Sequence, residues 1–351
     1  MSSAITPQTP QTLAAMFSRL SASFPPGTSI AAFCESALDS PGGQKNTHTL
    51  LSTVQHALLP FFTTAAVLPL RATCKEACAA VTAHAWTDIH TVVPSRGLAT
   101  WRRCFPNVRS AAAEIVRDKD FKHLKGLQVL WAQHGTFSGA GLVHLHGIKE
   151  LWMHGSRGFE GRHLVHLRGI HTLDISSSNV TDADLKHLSG IHTLRMWKCV
   201  DITGEGFVHL GGIHTLLMSE CSSVTDDALV HLRGIKELDI SETNLTGAGF
   251  RFLHGIQGLN MSQCMEIEDD ALRHLAGIQY LDISYCDGIT GAGFVHLSGL
   301  GELQIWACPP NLYHAAKEAG LPLCNLAQPK RRRRRGGRGG RGRRRAKKES
   351  L

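Results

Sequence analysis

Residues Ile213 to Gly234 read IHTLLMSECSSVTDDALVHLRG, and the spacing of their apolar side chains decides the fold. Leu216 and Met218 stand two apart, which puts both on one face of an extended strand and turns Thr215, Leu217 and Ser219 to the other. Leu229 and Leu232 stand three apart, as on one side of a helical turn, behind Thr225 and Asp226, residue types that open helices. Gly212, just before the strand, suits the left-handed backbone on which a preceding helix ends. Such a unit has one apolar side and too few residues to bury it alone.

The unit recurs. Its anchor dipeptide stands at His123-Leu124, His144-Leu145, His166-Leu167, His187-Leu188, His209-Leu210, His231-Leu232, Phe252-Leu253, His274-Leu275 and His296-Leu297, always 21 or 22 residues from the next. Self-similarity at this period predicts a solenoid, with parallel strands on the concave side and helices on the convex side. Units with Cys199, Cys221, Cys264 or Cys286 after the strand run 22 residues and those with Ser178 or Thr243 run 21; the unit with Ser156 breaks that pattern. A one-residue difference in a surface turn is easily absorbed.

Written out, L-x-x-L-x-L-x-x-C-x-x-I-T-D-x-x-L-x-x-L resembles the cysteine-containing subclass of leucine-rich repeats, over about 185 residues. The resemblance implies an α/β horseshoe. Ahead of it, residues 50–89 are dense in apolar residues at helical intervals, a small all-α module. The order Leu59-Pro60, Val67, Leu70, Cys74-Lys75 and Trp86 resembles the F-box, with Phe61 and Phe62 where that family usually has an acidic residue. That resemblance implies that Leu59, Pro60, Val67 and Leu70 meet a ubiquitin-ligase adaptor; the alternative is a plain helical lid on the open end of the solenoid. The expected organisation is a leader (1–46), the F-box-like module (47–95), the solenoid with its caps (96–328) and a basic tail (329–351). Asn311 to Gly320 reads as a closing helix, and Cys104 to Val108 as a degraded first repeat.

Charge separates the last segment from the rest. Thirteen of the 37 lysines and arginines fall between Lys330 and Lys348, leaving 24 against 28 acidic residues before Glu349. The run KRRRRRGGRGGRGRRRAKK, with Arg331, Arg332, Arg333, Arg334, Arg335, Arg343, Arg344 and Arg345, resembles an Arg/Gly-rich segment joined to a nuclear-import signal. Three readings stand: an import receptor, RNA or another polyanion held electrostatically, or a solvated tail. No aromatic residue is interleaved to stack on bases. Nucleus or cytoplasm is the expected location. No membrane-length apolar run is present, and the Ser/Thr-rich opening has only Arg19 as a basic residue before Glu35, which makes a transit peptide a weak reading.

Repeat-spaced cysteines are expected to be reduced core residues. The histidine before each anchor leucine forms a regular ladder that converges on no point, so hydrogen bonding is expected there and no metal. No cofactor is expected. Nothing in the chain resembles a phosphate loop or a nucleophile elbow, so a non-catalytic binding protein is expected.

Information is then expected in the outward strand positions. They include Trp131, Trp152, Asp174, Arg195, Trp197, Leu217, Glu237, Asp239, Tyr280, Asp282 and Glu302. Tryptophan and arginine dominate binding hot spots, and here they gather toward the N-terminal half while carboxylates gather toward the other. A protein target with apolar anchors at one end and basic residues at the other fits this pattern. The alternative is that neighbouring segments cover the tryptophans. Three functions follow: substrate receptor of an F-box-type ubiquitin ligase, scaffold without a ligase link, or RNA-associated protein acting through its tail.

Overall fold

The structure, a computed structural model, describes residues 59, 63–71, 75–113, 117–132, 135–156 and 158–324. Eleven strands form one parallel sheet in strict chain order, β1 (Val92–Val93), β2 (Ser110–Ala113), β3 (Val129–Ala132), β4 (Glu150–Trp152), β5 (Thr172–Asp174), β6 (Thr193–Arg195), β7 (Thr215–Leu217), β8 (Glu237–Asp239), β9 (Gly258–Asn260), β10 (Tyr280–Asp282) and β11 (Glu302–Gln304). The register aligns equivalent residues: Leu194 pairs with Leu216 and Arg195 with Leu217. One row of leucines therefore runs through the interior, from Leu130 to Leu303, with each buried. The chain is an open leucine-rich-repeat solenoid.

The convex segments are 3-10 helices, such as Asp182–Leu188 and Asp226–Leu232, and not α-helices. Each of these segments has at most seven residues, and the tighter 3-10 rise covers the convex side in fewer residues. Two strands precede the nine repeats read from the anchor dipeptide. β2 follows the helix Leu98–Cys104, so the degraded first repeat carries an α-helix in place of a 3-10 segment. β1 follows Trp86, whose indole donates to Val81 O at 2.8 Å and meets Phe105 edge-on at 5.6 Å. The helices Thr64–Arg71 and Lys75–Ala83 thus share one continuous core with the repeats. Asp88 ties the join: it accepts from the Thr64 amide at 2.6 Å and from the His90 and Thr91 amides at 2.9 and 3.1 Å. At the other end, helix Pro310–Glu318 closes the array before Gly320, and Leu323 bridges to Leu303 beside β11.

The repeats are joined in pairs by a carboxylate. Asp182 accepts from the Thr203 amide (2.8 Å) and hydroxyl (2.9 Å), the Gly204 amide (3.0 Å) and the Gly206 amide (2.7 Å) of the next repeat. Asp118 does the same for Ser138, Gly139 and Gly141, Asp226 for Thr246 and Gly249, and Asp269 for Thr290, Gly291 and Gly293. The carboxylate of Asp226 is therefore spent on its neighbour, and Thr225 makes no side-chain cap, contrary to the helix-opening role its sequence position suggests. Glycine is needed where the two backbones meet: a Cβ on Gly249 would stand 2.5 Å from Asp226 O.

The cysteines among the described residues are free thiols, and Cys199, Cys221, Cys264 and Cys286 are buried. Each also donates to the carbonyl just past the strand of the preceding repeat; Cys221 Sγ reaches Met196 O at 3.0 Å and Cys286 Sγ reaches Met261 O at 3.0 Å. Thr243 meets the same need within its own repeat, through Ile240 O at 2.6 Å. Burial pushes the Cys221 and Cys286 thiols up to about 12, so they stay protonated and slow to oxidise.

Replacing Gly249 with Ala is expected to destabilise the fold by about 1–3 kcal/mol, because backbone must move. Gly211, at φ −52° with open space around its Cβ position, should accept Ala without loss. Equal denaturation midpoints for the two variants would contradict the packing described. Burial raises the pKa of Asp118 and Asp269, but the converging donors outweigh it and hold both below the usual carboxylate value. Their stabilisation is present above the unfolded value of ~3.9 and is lost as pH falls through the lower folded value. Acid unfolding of Asp269→Asn should accordingly show a shallower pH dependence than the parent chain; an identical slope would refute it.

Candidate protein-binding surface

The outward side chains of β3–β7 form a connected aromatic and cationic cluster. Trp131 and Trp152, register partners on β3 and β4, meet at 5.2 Å between ring centroids. Arg195, two strands further, lays its guanidinium over the Trp152 ring at 4.7 Å. It reaches past Asp174, which is buried and accepts from the Ser176 amide at 2.9 Å. Ser176 in turn accepts from the Trp197 amide at 3.1 Å, fixing where that indole leaves the sheet. Trp197 stacks on His154 at 5.4 Å and donates to Glu220 Oε1 at 2.8 Å. Lys198 pairs with the same Glu220 at 3.4 Å.

Trp131, Trp152, His154, Arg195, Trp197 and Glu220 are half-buried, and Lys198 is exposed. Two donors inside the cluster, Trp152 Nε1 and Arg195 Nε, are buried yet have no hydrogen-bond partner among the described residues. A buried donor left in this condition costs about 1–3 kcal/mol. A ligand carbonyl or carboxylate entering between them would relieve that cost. Leu217 continues the surface toward β8.

The second pole lies on β8–β11. Glu237, Asp239, Asp282 and Glu302 occupy outward strand positions there with no lysine or arginine among them. Tyr280 stands between them; burial, then Asp282, Glu302 and Asp239, push its phenol up to about 12. Beside it Tyr285 and Trp306 meet edge-on at 5.8 Å, and both are exposed. One residue per repeat leaves the strand in the left-handed region, including Lys198 (φ 57°), Glu220 (56°), Glu242 (57°) and Tyr285 (59°). That conformation lifts these side chains onto the rim of the concave face, a position the strand period alone did not flag.

The residues that the F-box resemblance implies for adaptor contact are placed differently. Leu59 and Val67 are buried in the core, with 2% and 1% of their surface exposed. Leu70 lies on the helix Thr64–Arg71, and Pro60 lies outside the described residues. On that helix Leu68 is 45% exposed. Residues 325–351, with all the tail arginines, also lie outside the described residues.

The histidines of the anchor dipeptide sit on the convex surface, exposed or half-exposed, as at His209 and His187. Among the described residues most of them find no partner for the hydrogen bond expected of them; His274 accepts from Arg273 Nε at 3.2 Å, and His166 meets the rings of His146 and His163. A closer ladder exists elsewhere: His171, His192 and His214, just ahead of β5–β7, stack at 4.4 and 4.5 Å, each with Nδ1 within 3.2 Å of the following threonine hydroxyl. Among the described residues no group of three or more His, Cys, Asp or Glu side chains is arranged to hold a metal ion. No described helix is long and apolar enough to cross a membrane.

No protein-family model matches the chain, and no curated protein matches it. Among solved structures, a chain of the yeast Rad7–Elc1 complex is similar, with a TM-score of 0.53 and 14% identity over 89% of this chain and 92% of that one. A chain of the TLR13–ssRNA13 complex gives a TM-score of 0.48 at 15% identity, over 66% of this chain and 40% of that one. A chain of the Drosophila Toll–Spatzle complex gives 0.48 at 12%, over 66% and 38%. What is shared is the leucine-rich-repeat fold.

Arg195→Ala is expected to uncover the Trp152 ring, at a cost near 1 kcal/mol and hence ~2–4 °C in melting temperature. Quenching of tryptophan fluorescence by acrylamide should rise. Unchanged quenching would show that the guanidinium does not cover the ring.

Proposed function

We propose that the chain is a non-catalytic recognition protein that seats a protein target on the concave face, with the target's apolar anchor against Trp131, Trp152 and Trp197. The observation that carries this reading is the cluster itself: three indoles and a guanidinium held on a solvent-facing sheet, with two buried donors lacking partners. Core packing does not require tryptophan at outward positions, and aromatic rings with arginine are the side chains that dominate protein interfaces. Target residues of positive charge extending toward β8 would meet Glu237 and Asp239.

The same reading gives the N-terminal helices the role of an adaptor-docking module in an F-box-type ubiquitin ligase. Its support is the residue order from Leu59 to Trp86, together with Leu68 standing open on the helix Thr64–Arg71 while Leu59 and Val67 hold the module to the solenoid. Docking through Leu68 differs from the contact set that the F-box resemblance implies. A scaffold without a ligase link would keep the concave site and lose only this contact.

Two substitutions separate the halves of the proposal. Replacing Trp152 and Trp197 together with Ala should weaken the principal target by about 2 kcal/mol or more, roughly thirtyfold; an unchanged affinity removes the concave-face reading. Leu68→Asp should abolish co-purification of adaptor and cullin subunits while leaving target binding intact. If those subunits never co-purify with the parent chain, the ligase assignment falls and the scaffold reading stands.

A further inference from the structure

The second pole of the concave face contains a groove of about 310 Å³ lined by Ser262, Gln263, Asp282, Ser284, Tyr285, Gln304 and Trp306. Its floor carries a carboxylate and its wall two exposed aromatic rings, the combination that receives a guanidinium by ion pairing and stacking. Asp282 Oδ1 accepts from the Ser284 amide at 2.8 Å, which holds the carboxylate in place, while Oδ2 receives no hydrogen bond from a described residue. Ser284 Oγ accepts from the Trp306 amide at 2.9 Å, fixing the ring beside it. Glu302, Asp239, Glu237 and Glu242 extend the negative charge along the same face, and no lysine or arginine occupies an outward strand position from β8 to β11.

The chain itself supplies the complementary charge and delivers it to this end. Leu323 bridges in parallel to Leu303, and the Cys324 amide donates to Leu303 O at 3.0 Å. The main chain thus leaves the described residues alongside β11, running toward the strand end where Trp306 stands. Lys330 follows Cys324 by six residues, which reach up to ~20 Å when extended. The strands from β11 back to β8 occupy only about 14 Å at the usual inter-strand spacing. The thirteen basic residues from Lys330 to Lys348 are therefore within reach of every carboxylate named.

We infer that the acidic half of the concave face is the docking surface for the chain's own arginine-rich segment, Lys330 to Lys348, with one arginine seated between Asp282, Tyr285 and Trp306. The docking is intramolecular and electrostatic, so it weakens with salt. It covers the face next to the proposed target site, and a basic target or a polyanion competes with it: the first for the carboxylates, the second for the arginines. The inference does not depend on the target or the adaptor, and its test uses neither.

Trypsin cleaves after lysine and arginine, so the tail reports on its own exposure. In the full chain at low salt, cleavage within residues 330–348 is expected to be about tenfold slower than in a synthetic peptide of the same residues, since cleavage tracks the undocked population. Protection should be independent of protein concentration, should fall as salt is raised on the unaltered chain, and should vanish in the Asp282→Asn, Glu302→Gln variant. Both substituted side chains are half-buried and keep their size and an acceptor oxygen in the variant, and circular dichroism checks that the fold is kept. Cleavage as fast as in the peptide overturns the proposal, as does protection that is insensitive to salt or that survives the double substitution. Protection that grows with protein concentration places the tail on a second copy and overturns the intramolecular docking.

Discussion

A single carboxylate, accepting three or four hydrogen bonds from the backbone and hydroxyl of the following repeat, sets how this solenoid is stacked. Burial of Leu216 or Leu229 drives the repeats together, but burial has no direction. Asp118, Asp182, Asp226 and Asp269 supply direction, because a charged acceptor converging on amides at 2.7–3.1 Å fits one arrangement only. The small residues opposite them follow from that constraint: backbone at Gly141, Gly206, Gly249 and Gly293 lies too close to the aspartate carbonyl for any Cβ.

This constraint also explains what the sequence showed and what it hid. Within a repeat, spacing of two and three sorted inward from outward side chains, and the buried leucines and the solvent-facing Trp152 and Arg195 stand where that sorting puts them. Between repeats, the decisive bonds join residues about one repeat apart, and no single-repeat pattern contains them. The signal was nonetheless written in the chain: TGEGF and TGAGF at 203–207, 246–250 and 290–294 alternate with TDADL, TDDAL and EDDAL at 181–185, 225–229 and 268–272. The true structural unit is a pair of repeats, 43 or 44 residues long, which a search for one 22-residue phrase passes over. Cys199, Cys221, Cys264 and Cys286 were legible as buried and reduced, while their thiols' service to the carbonyls just past the strands was not, because sulfur as a donor leaves no mark on hydropathy. The histidine ladder failed for a related reason: regular recurrence identified a column of the convex surface, which faces water.

Fixing the stack leaves the concave face free to carry unlike chemistry at its two ends. At one end indoles, a guanidinium and an imidazole pack on one another and keep two donors unsatisfied. At the other, carboxylates and two exposed rings line a groove beside the point where the chain departs toward its basic tail. The rim residues in left-handed backbone connect the two, since Lys198 and Glu220 serve the first end and Glu242 and Tyr285 the second. The concave face is thus polarised in its chemistry, and the docking inferred for the basic tail would fall on its acidic end.

The proposed function rests on a protein target being read on the concave face. Site-specific photo-crosslinking tests it most directly: a benzophenone amino acid replaces Leu217, at the middle of that face, or Val295, 75% exposed on the 3-10 segment Ala292–His296 of the convex side. The probe at position 217 is expected to capture the same protein that co-purifies with the unaltered chain, and the probe at 295 is not. Capture of that protein from position 295 alone would contradict it.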